Sequence, residues 1–286
     1  MSWTIEDKTV LITGATSGIG LEAAVSLAQQ GARLILAGRG AARMAHAVAT
    51  VQARGGAVAS SYLCDMSSQL EIRRLATEVA RNHPQLHVLV NNAGGVNKRR
   101  GLTADGIERT FATNHLGSFL LTNLLLDLLK RNAPARVITV ASISHRSGTM
   151  EFEDLGFERG YWVMRAYSRS KLANVLFANE LARRLAGTGV TSNSVHPGRV
   201  ATNIWTGAPL WTKPYIQFWL RPTFISAEAG GQTIVHLAAS RELEGVSGQY
   251  FEKNVAVASA PLAQDVRLAR RLWDVSAKLT NLGPAV

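Results

Sequence analysis

A single cysteine, Cys64, stands in a chain of 286 residues. It can close no intramolecular disulfide, which fits a reducing compartment. Beside Asp65, at the end of a strand-like run, it reads as a small buried hydrophobe rather than a nucleophile. Long apolar runs are missing as well. No stretch of about 18 uninterrupted apolar residues occurs, so no transmembrane helix is expected. The first strand-like run follows Met1 too closely for a secretory signal, and a cytoplasmic protein is expected. Linkers, low-complexity tracts and internal repeats are also lacking, so nothing divides the chain. Acidic residues are scarce, 20 Asp and Glu against 31 Lys and Arg, giving a net charge of +11 and a pI near 10.4. That balance would suit a nucleic-acid or anionic-membrane partner. The bases are spread along the chain, however, with short clusters such as Lys98-Arg99-Arg100 and no aromatic interleaving. A solvated basic surface is expected, with no nucleic acid as partner. The seven histidines are scattered, and Pro84 interrupts the pair at ligand-like spacing, His83 and His87, so no metal is expected.

What the chain does have is alternation, with 47% hydrophobic residues to fill a core. Strand-like apolar runs (10–13, 33–37, 57–63, 88–91, 136–141, 191–196) alternate with longer helical patterns. A last short strand near 248–251 and a helix over about 263–278 complete the series. Such alternation predicts an α/β fold: right-handed βαβ crossovers, a doubly wound parallel sheet and helices on both faces. One domain over 1–286 is expected.

The richest local signal is YSRSK. Tyr167 and Lys171 lie four positions apart in a helical stretch and so share one face. An ammonium beside a phenol can lower the phenol's pKa from about 10 by roughly 1 to 3 units, toward general acid and base work at neutral pH. Alone, the pair is equally a half-buried tyrosine beside a solvated lysine. Near the N-terminus, KTVLITGATSGIG reads as strand, tight turn and helix, with Gly14, Gly18 and Gly20 spaced G-x-x-x-G-x-G. Glycine lets a backbone approach a pyrophosphate, and the helix N-terminus offers N–H groups to it. An ordinary glycine-rich turn is the alternative at this point.

Together with NNAG (Asn91 to Gly94), Ser142 in VASIS and HPG (196–198), these motifs resemble the short-chain dehydrogenase/reductase family, in its order, over nearly the whole length. SISH, the long spacer before the tyrosine and SKLANVLFANELARRLAGTGVTSNSVHPG resemble its retinol dehydrogenase-like branch. Members of that branch often carry an N-terminal membrane segment, and none is expected here. The resemblance implies a single Rossmann-like domain. It assigns Tyr167 as proton donor and acceptor, Lys171 to the nicotinamide ribose and the tyrosine's pKa, Ser142 to the substrate oxygen, and Asn114 to a water in the proton relay. Ser142 could instead simply end a strand, and Asn114 satisfy local backbone groups. For the cofactor it implies Gly14, Ser17, Gly18, Ile19 and Gly20 at pyrophosphate and ribose, Asp65 and Met66 at adenine, and Asn91, Ala93 and Gly94 beneath the ribose. Pro197, Gly198, Val200 and Thr202 would face the nicotinamide carboxamide and phosphate. Asp65 also suits a helix cap ahead of Ser67.

Where NAD-binding relatives place an acid, this chain has Gly38 and then Arg39, and a guanidinium suits a 2′-phosphate. NADPH is therefore the expected cofactor, although Ala15, Thr16 and Ser17 bring no second base. From Ser142 to Tyr167 the insert holds Phe152, Phe157, Tyr161, Trp162 and Met164, which are expected to shape a substrate pocket. A second aromatic segment, Trp205 to Trp219 within a substrate loop at about 203–222, either lids that pocket or packs a cover or dimer contact. The expected activity is NADPH-dependent reduction of a bulky lipophilic or polycyclic ketone or aldehyde, such as a polyketide-like natural product. A retinol- or steroid-type alcohol dehydrogenase is the alternative, and a non-catalytic nucleotide-binding regulator is the alternative outside enzymes. A homodimer stays open.

Overall fold

The computed structural model describes residues 3–56, 59–198 and 225–283. Eight strands form one sheet in the order β3-β2-β1-β4-β5-β6-β7-β8. They are β1 (Thr9–Thr13), β2 (Arg33–Gly38), β3 (Ala59–Leu63), β4 (Val88–Asn91), β5 (Ala135–Val140), β6 (Val190–His196), β7 (Tyr250–Glu252) and β8 (Val255–Val257). All neighbours pair parallel except β7 and β8, which form an antiparallel hairpin that the sequence pattern did not predict. The run expected from 57 starts, among the described residues, at Ala59.

The helices are α1 (Gly18–Gln29), α2 (Ala41–Gly55), α3 (Gln69–Asn82), α4 (Gly117–Arg131), α5 (Val163–Arg184), α6 (Ala227–Ala239) and α7 (Val266–Leu279). Side chains of β1 alternate between two cores, as a pleated strand requires. Val10 and Ile12 join α1, α2 and α6 on one face, and Leu11 joins α3, α4, α5 and α7 on the other. With both faces covered, β1 is buried throughout. On the second face Trp273 packs its ring edge-on to Phe119 at 4.9 Å and stacks with Phe177 at 5.9 Å. Helix α7 starts at Val266 rather than 263 because Asp265 caps the N–H groups of Arg267 and Leu268, while Pro261–Gln264 form a separate 3-10 turn.

The register aligns the carboxyl ends of β1, β4, β5 and β6 along one edge of the sheet. The strand order reverses direction between β1 and β4, and in open α/β sheets that crevice is where ligands bind.

Candidate active site

The glycine-rich turn after β1 is held from the β4 side. Thr13 Oγ1 donates to the Val90 carbonyl (3.2 Å) and accepts the N–H groups of Asn92 and Ala93 (both 3.0 Å). Asn92 Nδ2 returns bonds to the carbonyls of Thr13 (2.8 Å) and Gly14 (3.1 Å). Gly14 has φ +66°, and a Cβ there would lie 2.8 Å from Ala93 Cα. At Gly20 a Cβ would collide with Asn92 Nδ2 and lie 2.6 Å from the Gly14 carbonyl. These two glycines are thus required by packing. Gly18 differs, since a Cβ there would meet nothing, and with Ser17 it lies exposed at the start of α1. The α1 N-cap, Ser17, makes no side-chain cap bond, so the first N–H groups of the helix have no side-chain cap. Backbone donors at a glycine ledge and a helix N-terminus fit a pyrophosphate.

Lys171 and Tyr167 sit on α5 with Ser142 opposite, where β5 ends. Lys171 is buried, and its Nζ donates to the Val140 carbonyl at 2.9 Å. Asn174 Nδ2 shares that carbonyl at 3.1 Å. The Lys171 ammonium lies 5.7 Å from the Tyr167 ring centroid, and burial pulls its pKa down to about 8. The expected lowering of the Tyr167 pKa is corrected here. Burial raises it, and the hydrogen bond with the Ser142 hydroxyl, which pulls the other way, is the smaller effect. The ammonium is spent on a backbone carbonyl instead of the phenol oxygen, so desolvation wins.

Asn114 lies in a π turn, Ala112–Leu116, inserted between a single α turn (Arg109–Phe111) and α4. Its amide is fully engaged. Nδ2 donates to the Gly95 carbonyl and Ser170 Oγ, both at 2.9 Å, and Oδ1 accepts the Gly95 N–H at 2.8 Å. Ser170 Oγ in turn donates to the Tyr167 carbonyl at 2.7 Å. The side chain therefore ties the chain after β4 to the Tyr167 helix through contacts distant in sequence. Gly94 lines the same wall: a Cβ there would lie 3.1 Å from Asn114 Oδ1 and 3.5 Å from Lys171 Nζ.

Asn91 is buried and donates from Nδ2 to Thr122 Oγ1 (2.9 Å). Asp65 Oδ1 accepts the Ser67 N–H at 2.9 Å, a local turn, while Ser68 caps α3. Met66 packs in the second core, and its carbonyl abuts Gly117 too closely for a Cβ. Arg39 is exposed directly after β2, and Arg43 folds back over Gly40, its Nε 3.2 Å from where a Cβ would stand. A second base thus comes from α2 rather than from the glycine turn. Pro197 and Gly198 follow β6 at the same sheet edge, Gly198 with φ +91°. Val200, Thr202 and the aromatic segment 205–219 lie outside the described residues.

The insert before α5 is held by Arg169. Its buried guanidinium donates to the carbonyls of Thr149 (3.1 Å) and Asp154, pairs with Glu151 at 3.3 Å and lies 3.7 Å over the Phe157 ring. Phe152 lies under Arg271, and Tyr161 donates to the Asn97 carbonyl at 2.7 Å. These aromatics fix the insert itself. Trp162 and Met164 remain exposed. Thr13, Asn92, Ser170 and Asn174 all stand inside quoted motifs yet carry no sequence signal of their own, because Thr13, Asn92 and Asn174 meet backbone groups of other elements and Ser170 meets the Asn114 side chain.

The chain matches the short chain dehydrogenase family over residues 8–212. It is 43% identical over 289 residues to mouse retinol dehydrogenase 14, covering 96% of this chain and 86% of that protein. Among solved structures, an uncharacterised protein from Mycobacterium paratuberculosis superposes with a TM-score of 0.79 at 32% identity, covering 98% of both chains. The Pseudomonas aeruginosa RhlG/NADP complex superposes with a TM-score of 0.71 at 26% identity, covering 87% of this chain and 95% of that one.

Proposed function

This chain belongs to the short-chain dehydrogenase family, and from that premise we propose that it interconverts a bulky lipophilic alcohol and its aldehyde or ketone, using NADP(H). The likeness to a retinol dehydrogenase supports a retinoid- or steroid-type alcohol over the polycyclic natural-product ketone expected from the sequence. The observation that carries the reaction class is the convergence of Ser142, Tyr167 and Lys171 beside the glycine ledge at one sheet edge.

The residues present fit a dinucleotide. Gly14, Gly18 and Gly20 with the α1 N-terminus would hold the pyrophosphate, Gly94 and Lys171 the ribose, and Arg39 a 2′-phosphate. Bound there, the nicotinamide supplies or accepts the hydride. The chain's own residues handle the proton and the geometry. Ser142 Oγ orients the substrate oxygen, and Tyr167, held protonated by its raised pKa, donates to that oxygen in reduction. Lys171 Nζ, 5.7 Å from the Tyr167 ring centroid and bonded to the Val140 carbonyl, places a positive charge in the same dry site as the phenol, where it favours negative charge developing on Tyr167. Asn114 fixes the wall at Gly95 and, through Ser170, the helix that carries Tyr167. Arg39, and the likeness to a protein solved with NADP, support the phosphorylated cofactor.

The test is turnover by the purified protein of retinol, retinal, a steroid alcohol and a polycyclic ketone, each with NADP(H) and NAD(H). Efficient turnover of retinoid or steroid with NADP(H) is expected. Turnover of small polar ketones alone would overturn the substrate class, and equal efficiency with NAD(H) the cofactor assignment.

A further inference from the structure

Ser142 is held mainly through its backbone. Besides its bond with Tyr167, its hydroxyl makes two long local bonds, accepting the Ser144 N–H at 3.2 Å and reaching Ser144 Oγ at 3.4 Å. Its carbonyl is gripped twice by one residue: the His145 N–H donates at 3.0 Å and Nδ1 lies at 2.7 Å. His145 is fully buried, and its other nitrogen, Nε2, accepts the Ala260 N–H at 3.0 Å. An amide N–H can only donate, so Nε2 must be the bare nitrogen and Nδ1 must carry the proton to the Ser142 carbonyl. One neutral tautomer satisfies both bonds. Protonation would set an Nε2–H against the Ala260 N–H. The Tyr250 ring packs on the imidazole at 4.6 Å, and the charges that reach it are Arg146 and Glu252. Arg146 adds a parallel tie, donating to the Ala258 carbonyl at 2.8 Å. Residues 258–260, far along the chain, thus brace the turn that presents Ser142.

We propose that His145, as the neutral Nδ1–H tautomer bridging the Ser142 carbonyl and the Ala260 amide, is the positioning residue that fixes the Ser142 hydroxyl toward Tyr167. The inference rests on the proposed proton-transfer roles of Ser142 and Tyr167. His145 is fully buried against Ser142, Ala260 and Tyr250, so its effect should fall on kcat.

The test uses three variants of the full chain. The Asn amide nitrogen stands near the place of Nδ1, so His145→Asn can still donate to the Ser142 carbonyl. His145→Gln can accept from Ala260 but loses the inner bond, and His145→Phe keeps a ring and loses both. Expected is a fall in kcat of roughly tenfold or more for Gln and Phe with unchanged NADPH dissociation constant, and recovery to within about threefold of the parent for Asn. Equal kcat for parent and Phe, or equal loss in Asn and Phe, would overturn the proposal. Nitrogen NMR of the parent imidazole supplies a readout that needs no substrate. A neutral Nδ1–H ring from pH 5.5 to 8 is expected, and an Nε2–H ring or a titration near 6.5 would overturn the proposal. If the parent turns over no alcohol or carbonyl, the proposed function fails, and the tautomer measurement still decides the bridge on its own.

Discussion

Lys171 holds a charge where the fold would be more stable without one, and replacing it should separate stability from activity. A lysine ordinarily titrates near 10.5, and burial brings Lys171 down to about 8. At 1.36 kcal/mol per pH unit, that gap means the charged side chain costs the folded state about 3 kcal/mol below pH 8. Lys171→Met keeps the length of the side chain and removes the charge. Its hydrogen bond is lost, but the Val140 carbonyl keeps Asn174 as donor and is not orphaned. The variant should therefore be more stable at pH 7 by up to about 3 kcal/mol, or about 6 °C in Tm at roughly 2 °C per kcal/mol for a chain of this size. Turnover should fall by roughly 10² or more. The sign can be checked along the pH axis. Between 8 and 10.5 the unfolded parent binds the proton and the folded parent has released it, so parent stability rises through that window relative to the variant. Urea unfolding of both proteins at pH 7, 8 and 10 measures this. A variant less stable than the parent at pH 7, or a difference that does not change between pH 8 and 10, would refute the reasoning.

Tyr167→Phe should leave NADPH affinity near that of the parent and lower turnover by ~10² to 10⁴, and single-turnover rates within a few-fold of the parent would contradict the proton-donor role. Arg39→Leu should weaken NADPH binding by roughly 10- to 150-fold, the range of one charge-assisted hydrogen bond, and leave NADH unchanged. A full switch with Gly38→Asp needs Thr16→Ser as well, because a Cβ at position 38 would lie 2.6 Å from the Thr16 methyl; fluorescence titration with both cofactors checks both variants. His115, fully buried and bonded to Ser276 Oγ at 2.9 Å, has its pKa lowered by burial to about 3. Its contribution to stability is complete above pH 6.5 and is lost as pH falls toward 3, by about 1.4 kcal/mol per unit. His115→Gln should flatten that slope by about one proton in acid-unfolding experiments.

The sheet was legible because its signal is local. Runs such as Val88–Asn91, apolar up to Asn91 and buried throughout, read as strands covered on both faces. Strand β8 was not, since three exposed residues, Val255 to Val257, carry no pattern, and pairing with β7 alone defines them. YSRSK and the glycines announced the site, because backbone approach and helical phase are written in adjacent residues. The Tyr167 pKa was misread because spacing says nothing of which acceptor an ammonium meets. The bridge from His145 to Ala260 spans 115 residues, and no periodicity reports a contact of that range.

The π turn at Ala112–Leu116 makes chain length itself part of the site. A π turn is one residue wider than the α turns on either side, so it amounts to a single insertion stored within the helix. Deleting one residue there would let the helix close into uninterrupted α geometry, with better hydrogen bonding than before. The flanking turns would keep their phase, because the five residues of the π turn sweep about the same angle as four residues of α-helix, and the change would fall on the side chains of the turn itself. Asn114 would lose Gly95 and Ser170, while Gly117, beyond the turn, would keep its face to the Met66 carbonyl. Point substitutions in this segment test chemistry one atom group at a time. A single-codon deletion removes the bulge as a whole, and a protein that still folds while its pocket wall lacks the Asn114 anchor is the outcome that the geometry dictates.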